Sequence, residues 1–225
     1  MAAYWRSVVE LNEWQKRSFT GKVVSTLNGT LAGKKIAVLG YAYKKNTSDT
    51  RESAAISVVE QLVAENAKVQ IYDPKVAEMQ IRADLRDRVS ADAINRNLTF
   101  CSDAYAACTG AAAILVLTEW DLFKIDSDER GPRKAFNGDE ASPNGAADSS
   151  DSAYDSAHDS AQTTDSEDQG SCSQHERLNW KKIASLVRKP RYVFDGRNIV
   201  NPHRLRAIGF NVVNLGNWQT SLTAQ

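Results

Sequence analysis

The chain has 225 residues, of which 42% are hydrophobic, and its 28 basic and 28 acidic side chains leave no net charge. Nine acidic residues and no Lys or Arg lie between positions 139 and 170, so the rest of the chain has 28 basic against 19 acidic residues. A basic domain of this kind suggests an anionic ligand, although basic surfaces also serve solubility. Three scattered cysteines and three scattered histidines exclude a disulfide framework, a zinc site and a catalytic triad, and no apolar run has transmembrane length. We therefore expect a cytoplasmic protein with no leader, no membrane contact and no nucleic-acid partner.

The first predicted element is a helix from Tyr4 to Leu27. Its apolar residues approximate the i, i+3, i+4 spacing of one helix face, and Asn12 is a polar member of that face. Gly29 and Gly33 end the helix. The helix begins almost at the first residue with no capping signal, so we expect that its first half is missing.

Short apolar strands then alternate with helices. The predicted strands are 34–39, 68–72, 98–101, 112–117, 191–194 and 211–215, and the predicted helices are 50–66, 76–95, 105–108, 178–187 and 202–208. For the helix 50–66, Asp49 with Glu52 three residues later is typical of a capping box. Strands that alternate with helices predict a doubly wound, Rossmann-like α/β domain with a parallel six-stranded sheet in the order 3-2-1-4-5-6.

A stretch from about 128 to 176 interrupts this alternation. It includes a tandem Asp-Ser-Ala-X repeat that starts at Asp151, and the aspartates of this repeat would repel each other on a helix. Low hydrophobicity and unbalanced charge predict a disordered acidic insert that the fold does not need.

In a doubly wound sheet the ligand lies beyond the carboxyl ends of the strands, where the strand order reverses. The loop after the first strand, GYAYKKNTSD from Gly40, has no G-x-G-x-x-G spacing, so an ordinary dinucleotide site is not expected there. It does bring Lys44 and Lys45 next to a predicted helix N-terminus at 49–51. Such a loop can hold a diphosphate, or it can be a solvated basic loop, and the residues alone favour neither.

Two further loops reach the same edge of the predicted sheet. Arg197 follows the fifth strand in the turn Asp195-Gly196-Arg197, where its planar fork would suit phosphate or sugar hydroxyls, or would form a salt bridge within the turn. We interpret Asp195 as a structural acid of that turn. Trp120, after the fourth strand, is interpreted as buried packing more readily than as a pocket wall.

At these residues the chain resembles the UDP-glucose 6-dehydrogenase family. Four motifs occur in the order of that family: IAVLGYAYKKNTSDTRES at 36–53, IYDPKV at 71–76, LTEWDLF at 117–123 and FDGRN at 194–198. Residues 1–30 resemble the C-terminal part of the central linking and dimerisation helix, and residues 31–225 resemble the UDP-sugar-binding α/β domain, interrupted by the insert.

The resemblance implies an NAD-dependent oxidoreductase that converts UDP-glucose to UDP-glucuronate with two NAD. It also implies that Tyr43, Lys44 and Arg197 contact the UDP-sugar, and that Arg51 approaches an NAD held mainly by another domain. The dinucleotide fingerprint and the glycine-rich motif with the nucleophilic cysteine have no counterpart in these 225 residues. We therefore expect a fragment with no catalytic residue of its own, inactive alone, that forms homo-oligomers through its first helix.

Two alternatives stay open at this point. The chain can be a genuine short product that binds a nucleotide sugar without catalysis or assembles with full-length subunits. It can also belong to a related nucleotide-sugar dehydrogenase that acts on another sugar, because the four motifs do not identify the sugar.

Overall fold

A computed structural model describes residues 2–125 and 177–214 of the protein. The predicted acidic insert at 128–176 lies outside the described residues, and so does Cys172. Among the described helices, none is both long enough and apolar enough to cross a membrane.

The described residues form one parallel sheet with helices in the connections, as predicted. The strands are β1 Lys35–Leu39, β2 Lys68–Tyr72, β3 Leu98–Phe100, β4 Ala113–Val116, β5 Arg191–Asp195 and β6 Phe210–Asn214. The helices are α1 Ala2–Thr26, α2 Ala54–Ala64, α3 Glu78–Leu85, α4 Ala91–Asn97, α5 Ala104–Cys108, α6 Trp180–Leu186 and α7 Pro202–Ala207, and Asp121–Phe123 forms a short 3-10 turn. The strand order is β3-β2-β1-β4-β5-β6, so the predicted order is confirmed.

The two central strands are apolar on both faces because helices cover both faces of the sheet. Every residue of β4 is buried, and β1 is buried from Ile36 to Leu39. Val38 of β1 pairs in register with Ile71 of β2 on one side and with Leu115 of β4 on the other. The reversal of strand order thus lies between β1 and β4, and the loops after β1, β4 and β5 leave the sheet at the same edge.

The predicted start of the second helix was wrong. The helix α2 begins at Ala54, and its N-cap is Ser53, whose Oγ accepts a hydrogen bond from the Ala55 N–H at 3.2 Å. Glu52 has φ +58°, a left-handed conformation that a helix cannot contain, so Asp49 and Glu52 do not form a capping box. Asp49 instead accepts hydrogen bonds from the backbone and side chain of Arg51.

The predicted helix at 76–95 is two helices, α3 and α4, separated by a turn. Ser90 begins the second of them, because its Oγ accepts a hydrogen bond from the Ala93 N–H at 3.3 Å. A serine hydroxyl that satisfies a free N–H stabilises a helix start, and this cap was not recognised in the sequence.

The first helix, α1, differs along its length. Its second half packs on the domain, where Phe19, Val23 and Leu27 are buried and Phe19 makes an edge-to-face contact with Phe194 of β5. Its first half exposes more than half the surface of five large apolar side chains: Tyr4, Trp5, Val9, Leu11 and Trp14. Within the described part of the chain, α1 is therefore anchored at one end only.

Candidate functional site

The loop after β1 lies tightly against the end of β4. Gly40 has φ +90°, and a Cβ added there would lie 2.5 Å from the Cβ of Thr118. Only glycine accommodates both the left-handed backbone and the close approach. This contact brings the β1 loop and the β4 loop together at the sheet edge.

The next two residues of the β1 loop are held by buried hydroxyl groups. The Ser53 Oγ donates to the Tyr41 carbonyl at 2.7 Å, and the Thr118 Oγ1 donates to the Ala42 carbonyl at 2.7 Å. The Tyr41 side chain is fully buried, so it fills the core and does not face a ligand.

Tyr43 and Lys44 follow this buried segment and are exposed. Tyr43 leaves half of its surface exposed, and its N–H donates to the Asp49 carbonyl at 2.8 Å, which closes the loop. The Lys44 ammonium group makes no hydrogen bond or ion pair within the part of the chain that the structure describes. A ligand at this edge therefore meets the Lys44 charge without displacing a protein partner.

The neighbouring lysine is placed differently. The Lys45 Nζ lies 2.9 Å from the Asp121 Oδ2, and the Lys45 N–H donates to the Glu119 Oε1 at 3.4 Å. The sequence did not distinguish the two lysines as ligands for an anion. In the structure Lys45 forms an ion pair with Asp121 of the 3-10 turn after β4, and Lys44 forms none among the described residues.

Arg197 joins the three loops of this edge. Its Nε donates to the Leu117 carbonyl at the end of β4, and its Nη2 donates to the Tyr43 carbonyl of the β1 loop, both at 2.9 Å. Its Nε also lies 3.4 Å from the Glu119 Oε2. These contacts fix the plane of the guanidinium and leave further N–H donors of its fork for a ligand.

Asp195 is the structural acid of the β5 loop, as interpreted from the sequence. Its Oδ1 accepts from the Arg197 N–H at 2.9 Å, and its Oδ2 accepts from the Val200 N–H at 2.8 Å. Burial raises the pKa of Asp195 above its usual value, and the backbone N–H donors oppose that rise.

Arg51 lies in the turn before α2, with 88% of its side chain exposed. Its Nη2 is 2.8 Å from the Asp49 Oδ2, and hydrogen bonds from Arg51 hold the pKa of Asp49 at about 2. Arg51 belongs to the same loop as Tyr43, between β1 and α2.

A groove with a volume of about 490 Å³ connects these loops to the first helix. Tyr43, Leu117 and Arg197 line one wall. Asn12 and Lys16 of α1 line the other, and the Lys16 Nζ is paired with Glu13 at 2.7 Å. The groove has room for a ligand the size of a nucleotide, and its lining includes the acids Glu13 and Glu52 as well as the bases Lys16 and Arg197, whereas Lys44 is not among its lining residues.

Known proteins resemble this chain over most of its length. Residues 37–135 match the model of the UDP-glucose/GDP-mannose dehydrogenase family, UDP binding domain. The chain is 37% identical over 227 residues to UDP-glucose 6-dehydrogenase 1 of Arabidopsis thaliana, with 96% of this chain and 36% of that protein aligned. It is 46% identical over 144 residues to UDP-glucose 6-dehydrogenase of Caenorhabditis elegans, with 61% of this chain and 30% of that protein aligned.

The chain belongs to the UDP-glucose/GDP-mannose dehydrogenase family. The matched residues contain the β1 loop and the β4 loop, whereas the β5 loop with Arg197 lies beyond them. The chain spans about a third of the length of the curated relatives it matches. Among solved structures, NDP-N-acetyl-D-galactosaminuronic acid dehydrogenase of Methanosarcina mazei aligns with 89% of this chain and 28% of its own, with a TM-score of 0.51 and 16% identity, which supports the fold alone.

The two described cysteines of this family member are poor nucleophiles. Burial raises the pKa of the Cys108 thiol to about 12 and also raises the pKa of the Cys101 thiol. A thiol with a raised pKa is protonated at neutral pH and attacks carbonyl carbon slowly. Neither described thiol is therefore activated as a nucleophile at neutral pH.

Sequence reasoning placed Tyr43, Lys44 and Arg197 on converging loops, and the structure joins Tyr43 to Arg197 directly. It missed the wall of the groove that α1 provides. A polar residue in the apolar face of a helix, Asn12, was the available signal.

Proposed function

We propose that the chain binds the UDP-sugar of a UDP-glucose 6-dehydrogenase through Tyr43, Lys44 and Arg197. The observation that supports this most is Arg197, which ties the β1, β4 and β5 loops together beside a groove of nucleotide size. The UDP-binding domain that the sequence matches makes a diphosphate the expected ligand of that groove.

The charges at the edge are consistent with a diphosphate. Lys44 has no hydrogen-bond or ion-pair partner among the described residues, so an incoming anion displaces none, and its charge would strengthen a hydrogen bond to that anion. Arg197 is held in place before binding, so little conformational entropy is lost when its remaining N–H groups bond a ligand.

The described residues do not fit NAD at this sheet edge. The β1 loop lacks the glycine spacing that lets a backbone approach a pyrophosphate. In a dinucleotide site the acid at the end of the second strand receives the ribose, whereas here Asp73 accepts hydrogen bonds from protein groups with both carboxylate oxygens. We propose that NAD is held mainly by another domain, with Arg51 at its margin.

Titration of the 225-residue protein with UDP, followed by calorimetry, tests the site. Lys44→Ala should weaken binding by about 1–3 kcal/mol, the range for a lost hydrogen bond to a charged group. The matched control is Lys45→Ala, which removes the same charge from the next residue but from a lysine already paired with Asp121. Equal losses in the two variants, or none in either, would contradict the site.

We also propose that this polypeptide alone does not oxidise UDP-glucose. The described β1 loop lacks the glycine spacing of a dinucleotide site, and burial raises the pKa of both described thiols. Incubation with UDP-glucose and NAD should give no increase in absorbance from NADH. NADH formation by this polypeptide alone would refute the proposal, and its loss in Cys101→Ala or Cys108→Ala would identify the thiol responsible.

A second candidate function is assembly, because the first half of α1 exposes a cluster of large apolar side chains. Self-association through α1 would bury that face and would serve either a dehydrogenase subunit or a non-catalytic partner. Sedimentation of Trp5→Glu and Trp14→Glu should show a smaller species than the wild type. Met79→Glu, an exposed apolar residue on α3, is the control.

A further inference from the structure

The carboxylate of Asp73, at the end of β2, accepts hydrogen bonds from five donors. Its Oδ2 accepts from the N–H groups of Tyr41 and Ala42 at 2.7 and 3.0 Å and from the Trp120 indole N–H at 3.1 Å. Its Oδ1 accepts from the N–H groups of Lys75 and Val76 at 2.9 and 3.1 Å. A carboxylate has about four lone-pair sites, so its capacity is filled by the protein.

These donors come from three different parts of the sheet edge. Two belong to the β1 loop, one to the β4 loop and two to the turn that follows β2 itself. The two in the β1 loop directly precede Tyr43 and Lys44. Ala42 is held from both sides, because Asp73 accepts from its N–H and Thr118 donates to its carbonyl.

We infer that Asp73 is a positioning residue of the nucleotide-sugar site, which rests on the function proposed above. Its carboxylate fixes the backbone of Tyr41 and Ala42 and thereby directs Tyr43 and Lys44 towards the ligand. The acid that would bind a ribose in a dinucleotide domain is used here to shape the loop that meets a different ligand. The loop cannot hold itself in this way, since the bonds to Asp73 cross 31 and 32 residues of sequence.

The direction in which Asp73→Asn changes UDP affinity distinguishes a positioning role from a purely electrostatic one. Removing a negative charge close to a diphosphate site would strengthen the binding of an anion through charge alone. Asp73→Asn replaces one acceptor oxygen by an NH₂ group that faces other N–H donors, so the loop loses its anchor. We therefore expect Asp73→Asn to weaken UDP binding, because the β1 loop is no longer held in place. Loss of the negative charge alone would have strengthened UDP binding.

The experiment is a double-mutant cycle on the full chain with UDP as the ligand. Asp73→Asn should weaken UDP binding roughly tenfold, as expected for lost hydrogen bonds to a charged group. In a Lys44→Ala background the same change should weaken binding by less than about threefold, because residues that act through one another are not additive. A general loss of stability would lower the folded fraction of both backgrounds alike and would leave the two ratios equal.

Asp103→Asn is the matched control. It removes the same charge from an aspartate whose carboxylate accepts the Ala106 N–H at the start of α5, at 2.8 Å. Its UDP affinity should equal that of the wild type or slightly exceed it. An Asp73→Asn protein that binds UDP as tightly as Asp103→Asn would overturn the inference while the proposed function stands.

Two further outcomes are decisive. Absence of UDP binding by the wild-type chain would refute the proposed function and this inference with it. If Asp73→Asn does not fold, Thr118→Val releases Ala42 from the opposite side with little change in volume. Unchanged UDP affinity in that variant would overturn the view that an anchored Ala42 directs Lys44, and a several-fold loss would support it.

Discussion

Two loops carry the residues proposed to meet the ligand, and they are stabilised in opposite ways. The β5 loop is held by the residue at the end of β5, because the Asp195 carboxylate accepts from the N–H groups of Arg197 and Val200, two and five positions later. The β1 loop is held by side chains from elsewhere: Ser53 before α2, Asp73 after β2 and Thr118 after β4. A change in a distant element can therefore alter the backbone of the β1 loop, whereas Asp195 holds the backbone of the β5 loop locally, although the Arg197 side chain joins the two loops.

The largest expected effect is on the β1 loop. Gly40→Ala combines a strained left-handed backbone with a Cβ that would lie 2.5 Å from the Thr118 Cβ. We expect it to lower the free energy of unfolding by about 3 kcal/mol, measured by urea denaturation.

Gly29→Ala is the control for that substitution. Gly29 has a similar φ of +74°, but no atom would lie within 4 Å of its added Cβ. We expect a cost of about 1 kcal/mol from backbone conformation alone. Similar costs at Gly40 and Gly29 would show that the approach of the β1 loop to β4 is looser than the structure indicates.

A smaller effect is expected on the β5 loop. Asp195→Asn leaves one of the two backbone N–H donors facing an NH₂ group, which should cost about 1–2 kcal/mol of unfolding free energy. Part of that cost is offset, since burial disfavours the aspartate charge that the substitution removes. Amide chemical shifts should change most at residues 195–200. Equally large changes at Tyr41 and Ala42 would mean that the two loops, which the Arg197 side chain joins, also share their backbone support.

The contrast between the loops also explains what could be predicted from sequence. The strands were found because apolar runs between Gly and Pro residues report burial locally, and strand order followed from the βα alternation. The β5 turn was found because its aspartate, glycine and arginine are adjacent. The Asp73 contacts were not found, because a carboxylate 31 and 32 residues from its donors leaves no local pattern.

The prediction of where α2 begins was wrong for a related reason. Two signals competed within five residues, Asp49 with Glu52 against Ser53, and both resemble helix caps. Tertiary contacts selected Ser53, whose hydroxyl also donates to the Tyr41 carbonyl of the β1 loop. The sequence alone does not show that the Ser53 hydroxyl also bonds the β1 loop, so it does not show which of the two capping signals the helix uses.

The smallest expected effect concerns the ion pair that ties Lys45 of the β1 loop to Asp121. Hydrogen bonds from Lys124 and then Lys45 lower the pKa of Asp121 to about 2. Because the folded pKa lies below the unfolded value of about 3.9, this stabilisation is present above pH 4 and is lost as the pH falls towards 2. More than half of the Asp121 side chain is exposed, so solvent screening limits the contribution to less than about 1 kcal/mol.

Thermal unfolding of the wild type and Asp121→Asn should differ slightly at pH 6, more at low than at high salt, and should converge near pH 2. A difference in thermal unfolding that persists at pH 2 would show that Asp121 acts through the packing of the 3-10 turn. The ion pair with Lys45 would then not stabilise the β1 loop.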